Sequence, residues 1–278
     1  MKNIVSVDWL YNKLDDEQVV PVDCRFYLQN KDQGQEEYHD AHIPGARYAD
    51  LEKNLSGPVR DHGGRHPLPD LDQFVKFLES IGIDHTKTIV AYDAQNTAMA
   101  SRFWWMLKYL GHEKVYVLDG GFQAWEKKNY PLTEKLTDVE KVTFTPKVRK
   151  EMVADLKEVQ EGTVKGQVTL IDARDEPRYL GQSEPIDPKP GHIPSAINRF
   201  FMENIDQGKW KSPDELKQRF NGQMDQQVIN YCGSGVTACV NILALDEIGK
   251  TSKLYVGSWS DWSSYEDHEI ETKQEETQ

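Results

Sequence analysis

Cysteine is scarce: Cys24, Cys232 and Cys239 are the only three in a chain of 278 residues. An odd, widely spread trio cannot make the disulfide framework of a small secreted domain. No CxxC pair occurs and no Cys/His cluster has zinc-ligand spacing, so neither a metal nor another resident cofactor is expected. Long apolar runs are absent too, which leaves no candidate for a membrane-spanning helix. The opening MKNIVSVDWLYNKLDDE reaches Asp8 before any apolar stretch of signal-peptide length, so no targeting segment is expected there. With so few thiols, this points to a reducing cytoplasm. Positive charge is also short. Lys and Arg number 33 against 46 Asp and Glu, a net charge of −13. Such a chain repels phosphate backbones and anionic lipid heads, which argues against nucleic acid and membrane as partners.

What the chain does contain is enough for packed cores, with 38% hydrophobic and 28% charged residues. It also contains itself twice. AHIPGA at 41–46 recurs as GHIPSA at 191–196, and VDCR at 22–25 as IDAR at 171–174. TIVAYD at 88–93 recurs as QVINYC at 227–232, and KVYVLDGGFQAW at 114–125 as KLYVGSWSDW at 253–262. Four matches in one order at near-constant spacing predict two copies of one domain. The copies are expected over residues 1–135 and 151–270, with a charged linker at 136–150 and an acidic tail at 271–278.

Within each copy, short β-branched runs alternate with helical patterns. Val19–Asp23, Thr88–Tyr92 and Val115–Leu118 read as buried strands, as do 169–172, 227–231 and 253–256. Helical patterns cover 71–81, 98–110 and 237–248. The alternation predicts an α/β class, each copy a mainly parallel sheet flanked by helices. Ligands of such sheets bind beyond the carboxyl ends of the strands.

One loop occupies that position and carries reactive chemistry. A buried strand ends at Tyr231, Cys232 follows, and Gly233-Ser234-Gly235-Val236-Thr237-Ala238 leads into a helix. Glycines allow successive N–H groups to turn inward as an anion nest, and the start of the helix adds partial positive charge. Both favour thiolate over thiol, so Cys232 is the candidate nucleophile. The first copy has Asp93 at this position, so only the second copy is equipped for thiol chemistry. His42 and His192 recur in both copies and are expected to shape the turn. Cys24 is expected in the core, and Cys239 as a small buried residue, with a resolving thiol as the alternative.

CGSGVTA after a strand, the doubled HIPGA-like motif and the GSWSDW segment resemble the tandem-domain sulfurtransferases, thiosulfate sulfurtransferase (rhodanese) and 3-mercaptopyruvate sulfurtransferase. The resemblance spans about residues 1–265. It implies two rhodanese-like domains, the first noncatalytic and the second catalytic. It implies sulfane-sulfur transfer from thiosulfate or 3-mercaptopyruvate to cyanide, a thiol or a thioredoxin-like acceptor, through a persulfide on Cys232. The small anionic donor is then bound by Arg178 and by the loop residues Gly233, Gly235, Val236, Thr237 and Ala238. Ser234, His66 in RHPLP and Glu52 in ADLEKN match the residues proposed to assist proton transfer. One departure concerns the donor. Where mercaptopyruvate-type relatives often carry a second arginine, SEPIDP places Ile186, yet Gly233 and Ser234 are small and neutral as in that type. A cysteine phosphatase would need an arginine closing the loop, and Ala238 stands there instead. The remaining alternative is a sulfur-carrier or partner-binding module with little small-molecule turnover.

Overall fold

The computed structural model describes residues 1–94, 96–222 and 226–272, with only the backbone of Lys165. The chain divides into two compact units. The first comprises Met1–Gly57, Leu68–Lys150 and Ile205–Trp210; the second comprises Pro58–Pro67, Glu151–Asn204 and Lys211–Gln278. The two short exchanged stretches depart from a simple cut near the linker. The ten-residue stretch Pro58–Pro67 matters most, because it carries His66 into the second unit.

The first unit is built on β1 (Ile4–Val5), β2 (Val19–Asp23), β3 (Arg47–Tyr48), β4 (Thr88–Tyr92) and β5 (Val115–Leu118). All pair in parallel, in the order β1-β5-β4-β2-β3. Helices α1 (Val7–Tyr11), α2 (Gln33–Asp40), α3 (Leu71–Ser80), α4 (Ala98–Tyr109) and α5 (Gly121–Lys127) connect and cover them. The second unit has β6 (Val153–Ala154), β7 (Val168–Asp172), β8 (Ile197–Asn198), β11 (Gln227–Tyr231) and β12 (Ser252–Tyr255). Their order is β6-β12-β11-β7-β8, again all parallel. Its helices are α6 (Leu156–Lys165), α7 (Glu176–Tyr179), α8 (Pro213–Arg219), α9 (Ala238–Glu247) and α10 (Ser258–Trp262). Strand for strand, the two orders are the same. The α/β class and the duplication are therefore properties of the fold. The remaining pair, β9 (Ile205–Asp206) and β10 (Lys209–Trp210), is an antiparallel hairpin.

Continuous apolar runs become the central strands because both of their faces are covered. Four of the five residues of β4, and four of the five of β11, are buried. The first core gathers Val90, Tyr92, Leu118, Phe122 and Trp125. The second gathers the counterparts Ile229, Tyr231, Tyr255, Trp259 and Trp262. The HIPGA-like motif is tied in the same way twice. The Tyr92 hydroxyl accepts from Ile43 N–H at 3.3 Å, and the Tyr231 hydroxyl from Ile193 N–H at 3.2 Å. His42 and His192 each bond a backbone carbonyl through Nδ1 at 2.6 Å. A motif used identically in the copy that has Asp93 at the cysteine position is a structural one.

Residues 268–271, leading into the expected tail, are held by partners. Trp262 Nε1 donates to Glu269 O at 2.9 Å, and His192 and Glu271 form a two-way backbone bridge. Of the expected tail at 271–278, residues 273–278 lie outside the described residues. Among the described residues, no helix is long and apolar enough to cross a membrane.

Candidate active site

The site of the second unit starts from its central strand. β11 delivers Cys232 to the carboxyl end of the sheet, where α9 begins six residues later. Gly235 N–H donates to Cys232 Sγ at 3.1 Å. Gly235 has φ +76°, and a Cβ there would stand 2.5 Å from Val256 O, so only glycine fits this turn. Among the described residues, no acceptor takes the N–H groups of Gly233, Ser234, Val236, Thr237 or Ala238. These open amides, at the positive end of α9, form a cradle for an anion. Cys232 itself is 2% exposed, at the floor of the loop.

The first unit shows what such a cradle is built to hold. Asp93 follows β4 as Cys232 follows β11. Its carboxylate accepts from Thr97 N–H at 3.1 Å, Met99 N–H at 2.9 Å and Ala100 N–H at 3.0 Å. The copy with Asp93 in place of the cysteine fills its own anion site with a side chain. Counted along the sequence from Asp93 and from Cys232, the positions of Thr97 and Met99 are those of Val236 and Ala238.

The backbone around Cys232 is fixed from the next strand-helix junction. Cys232 N–H donates to Ser258 Oγ at 3.2 Å, and Ser258 Oγ–H to Tyr255 O at 2.9 Å. Trp259 N–H donates to Cys232 O at 2.9 Å, as Phe122 N–H does to Asp93 O. Ser258 holds φ +56° where its counterpart Gly121 holds +57°. A serine in the left-handed region is strained, and here its hydroxyl is tied to the nucleophile's peptide.

The segment Pro58–Pro67 supplies the other wall. Gly64 approaches so closely that a Cβ would lie 2.4 Å from Gly257 O. Gly63 N–H donates to Asp261 and Arg65 N–H to Ser260. This brings buried His66 to Ser234, with Nδ1 and Oγ sharing a hydrogen bond of 2.7 Å. His62, four residues earlier, stacks on Tyr265 at 4.1 Å and bonds Ser264.

Arg178 is placed by the short helix α7, whose Asp175 cap accepts Arg178 N–H at 3.1 Å. Its Nε and Nη2 bond Glu184, and Nη2 also bonds Asp187 at 3.1 Å. Arg65, absent from the sequence-based candidates, binds the same Asp187. Both guanidiniums face the loop: from a Cβ built on Gly233, Arg65 Nη2 is 3.0 Å away and Arg178 Nη2 is 3.4 Å away. Burial pulls the Arg65 guanidinium below its ordinary value; the Cys232 sulfur raises it and Arg178 lowers it further. The only signal for Arg65 was a cation next to His66 in a glycine loop. Arg174 is paired with Asp172 inside the core, as Arg25 is with Asp23.

Of the expected site residues, the described contacts bring together the Cys232 loop, Ser234, His66 and Arg178. Glu52 belongs to the first unit, where its carboxylate pairs with Lys31 at 2.8 Å. Cys24 is fully buried beside Asp23, and burial pushes its thiol well up, away from the reactive form. Cys239 is buried on α9 with its thiol donating to Gly235 O at 3.4 Å.

Comparison with known proteins agrees with this geometry. The Rhodanese-like domain family matches residues 6–128 and 155–265. A probable 3-mercaptopyruvate sulfurtransferase of Pseudomonas aeruginosa is 38% identical over 267 residues, covering 93% of this chain and 94% of that one. The thiosulfate sulfurtransferase of Rattus norvegicus is 32% identical over 275 residues, covering 93% and 91%. A crystal structure of a 3-mercaptopyruvate sulfotransferase from Escherichia coli superposes with a TM-score of 0.84 at 33% identity, covering 94% of this chain and all of that one. Two like sheets, one thiol at the centre of the second and these similarities together make the chain a member of the tandem rhodanese-domain sulfurtransferase family.

Proposed function

We propose that this enzyme moves a sulfane sulfur from thiosulfate or 3-mercaptopyruvate to a nucleophilic acceptor through a persulfide on Cys232. The observation that carries the reading is the open amide cradle over Cys232, beside two guanidiniums. The donor's anionic group binds the unspent N–H groups of Arg65 and Arg178. The Cys232 thiolate attacks the outer sulfur. The bond between that sulfur and the rest of the donor breaks, and its electron pair leaves as sulfite or as the enolate of pyruvate. The new persulfide keeps a negative charge, which the open N–H groups of the loop, those of Val236 and Ala238 among them, stabilise. An acceptor then attacks the outer sulfur and returns Cys232 to thiolate.

Ser234 and His66 serve the proton that the pyruvate enolate must gain. Glu52 enters only through the family resemblance, and no step is derived for it. Acceptors are cyanide, a small thiol or a thioredoxin-like dithiol, all nucleophiles available in a reducing cytoplasm. Nothing in the site favours a carrier module with little turnover. The test is incubation with each donor plus cyanide. Thiocyanate must form with either donor, with equimolar pyruvate from 3-mercaptopyruvate; absence of thiocyanate with both rejects the proposal.

A further inference from the structure

A file of alternating charges runs along the wall of the site. It reads Asp172, Arg174, Glu184, Arg178, Asp187, Arg65. The first four links are 2.6, 3.1, 2.8 and 3.1 Å, and Arg65 closes on Asp187. Glu184 and Asp187 have side chains only 3% and 2% exposed, so solvent screens them weakly. Three guanidiniums and three carboxylates cancel. The file therefore brings no net positive charge to offset a Cys232 thiolate.

The file ends where the donor must bind. Arg65 and Arg178 are the guanidiniums nearest Gly233, and Asp187 is the carboxylate that touches both. It holds two like charges side by side and offsets one of them. The guanidinium hydrogen bonds remain, while the field that would reward extra donor charge is reduced. A dianion responds to that field about twice as strongly as a monoanion.

We infer that Asp187 sets donor selectivity by charge, making the site one for singly charged donors and so for 3-mercaptopyruvate over thiosulfate. The inference rests on the sulfur-transfer reading above and assigns the donor within it. Asp187→Asn keeps the shape and one acceptor oxygen while removing the charge.

The test compares kcat/KM for both donors, in wild type and Asp187→Asn, at low and high salt. Wild type prefers 3-mercaptopyruvate. The variant shifts the ratio toward thiosulfate by roughly tenfold, and the shift shrinks as salt screens it. An unchanged ratio, or equal losses with both donors, overturns the inference and leaves Asp187 as a brace for the arginines. A second measurement needs neither the variant nor turnover. Methanesulfonate and sulfate have similar shapes and differ by one charge. Wild-type Cys232 must be protected from iodoacetamide at least as well by methanesulfonate as by sulfate; clearly better protection by sulfate overturns the claim. If wild type takes sulfur from neither donor, the sulfur-transfer reading has failed, and the protection experiment still decides the charge argument.

Discussion

Ser234 Oγ and His66 Nδ1 lie 2.7 Å apart although 168 residues separate them in the chain. The contact exists because the segment Pro58–Pro67 packs within the second unit. If the pair acts as one proton relay, its members are not independent. Ser234→Ala and His66→Gln should each lower kcat with 3-mercaptopyruvate by roughly 10–100-fold. The double variant should be little worse than the poorer single one. Steady-state kinetics of the three variants checks this. Full multiplication of the two effects contradicts a shared role.

Arg65 and Arg178 should act on donor binding more than on the chemistry that follows. Replacing either by Lys keeps the charge but loses the planar fork. The expected result is a KM for the donor raised roughly tenfold, with a smaller change in kcat. A selective fall in kcat at constant KM would place these residues elsewhere in the cycle.

Ser195 offers a stability test of the repeat. It stands at φ +64° where the first copy has Gly45 at +83°. A left-handed serine costs on the order of 1 kcal/mol relative to glycine. Its N–H donates to Glu271 at 3.2 Å, a bond glycine retains. Ser195→Gly should therefore raise the denaturant midpoint of the second unit, and a lowered midpoint contradicts the strain argument.

His112 gives the first unit an acid sensitivity. Burial, then the neighbouring charge of His85, pull it from 6.5 to about 4. The folded pKa lies below the unfolded one, so the unfolded chain takes up the proton first. Stability is full above about pH 6.5 and falls as pH drops toward 4, by on the order of 3 kcal/mol. His112→Phe should lose less stability than wild type between pH 7 and pH 4.5, read from urea midpoints. Parallel losses in the two proteins refute the assignment.

The parts legible in the sequence were those with local signals. Buried parallel strands such as Gln227–Tyr231 announce themselves as short apolar runs, and the Cys232 loop as glycines between strand and helix. Two-residue edge strands such as Ile4–Val5 and Ile197–Asn198 carry too little pattern to read. Arg65 was not legible because its role depends on where Pro58–Pro67 packs, a tertiary fact. Asp187 carries no signal of its own in SEPIDP, because its bridging of two guanidiniums depends on where Arg65 packs. Ser258 was seen as part of a motif, but its tie to Cys232 N–H comes from the junction of β12 and α10.

The most direct measurement of the central claim is intact mass after exposure to a sulfur donor, followed by peptide mapping. The account predicts a gain of one sulfur atom in wild type, Cys24→Ser and Cys239→Ser, lost on adding cyanide, and no gain in Cys232→Ser. Sulfur retained in Cys232→Ser, or mapped to Cys24 or Cys239, would contradict it.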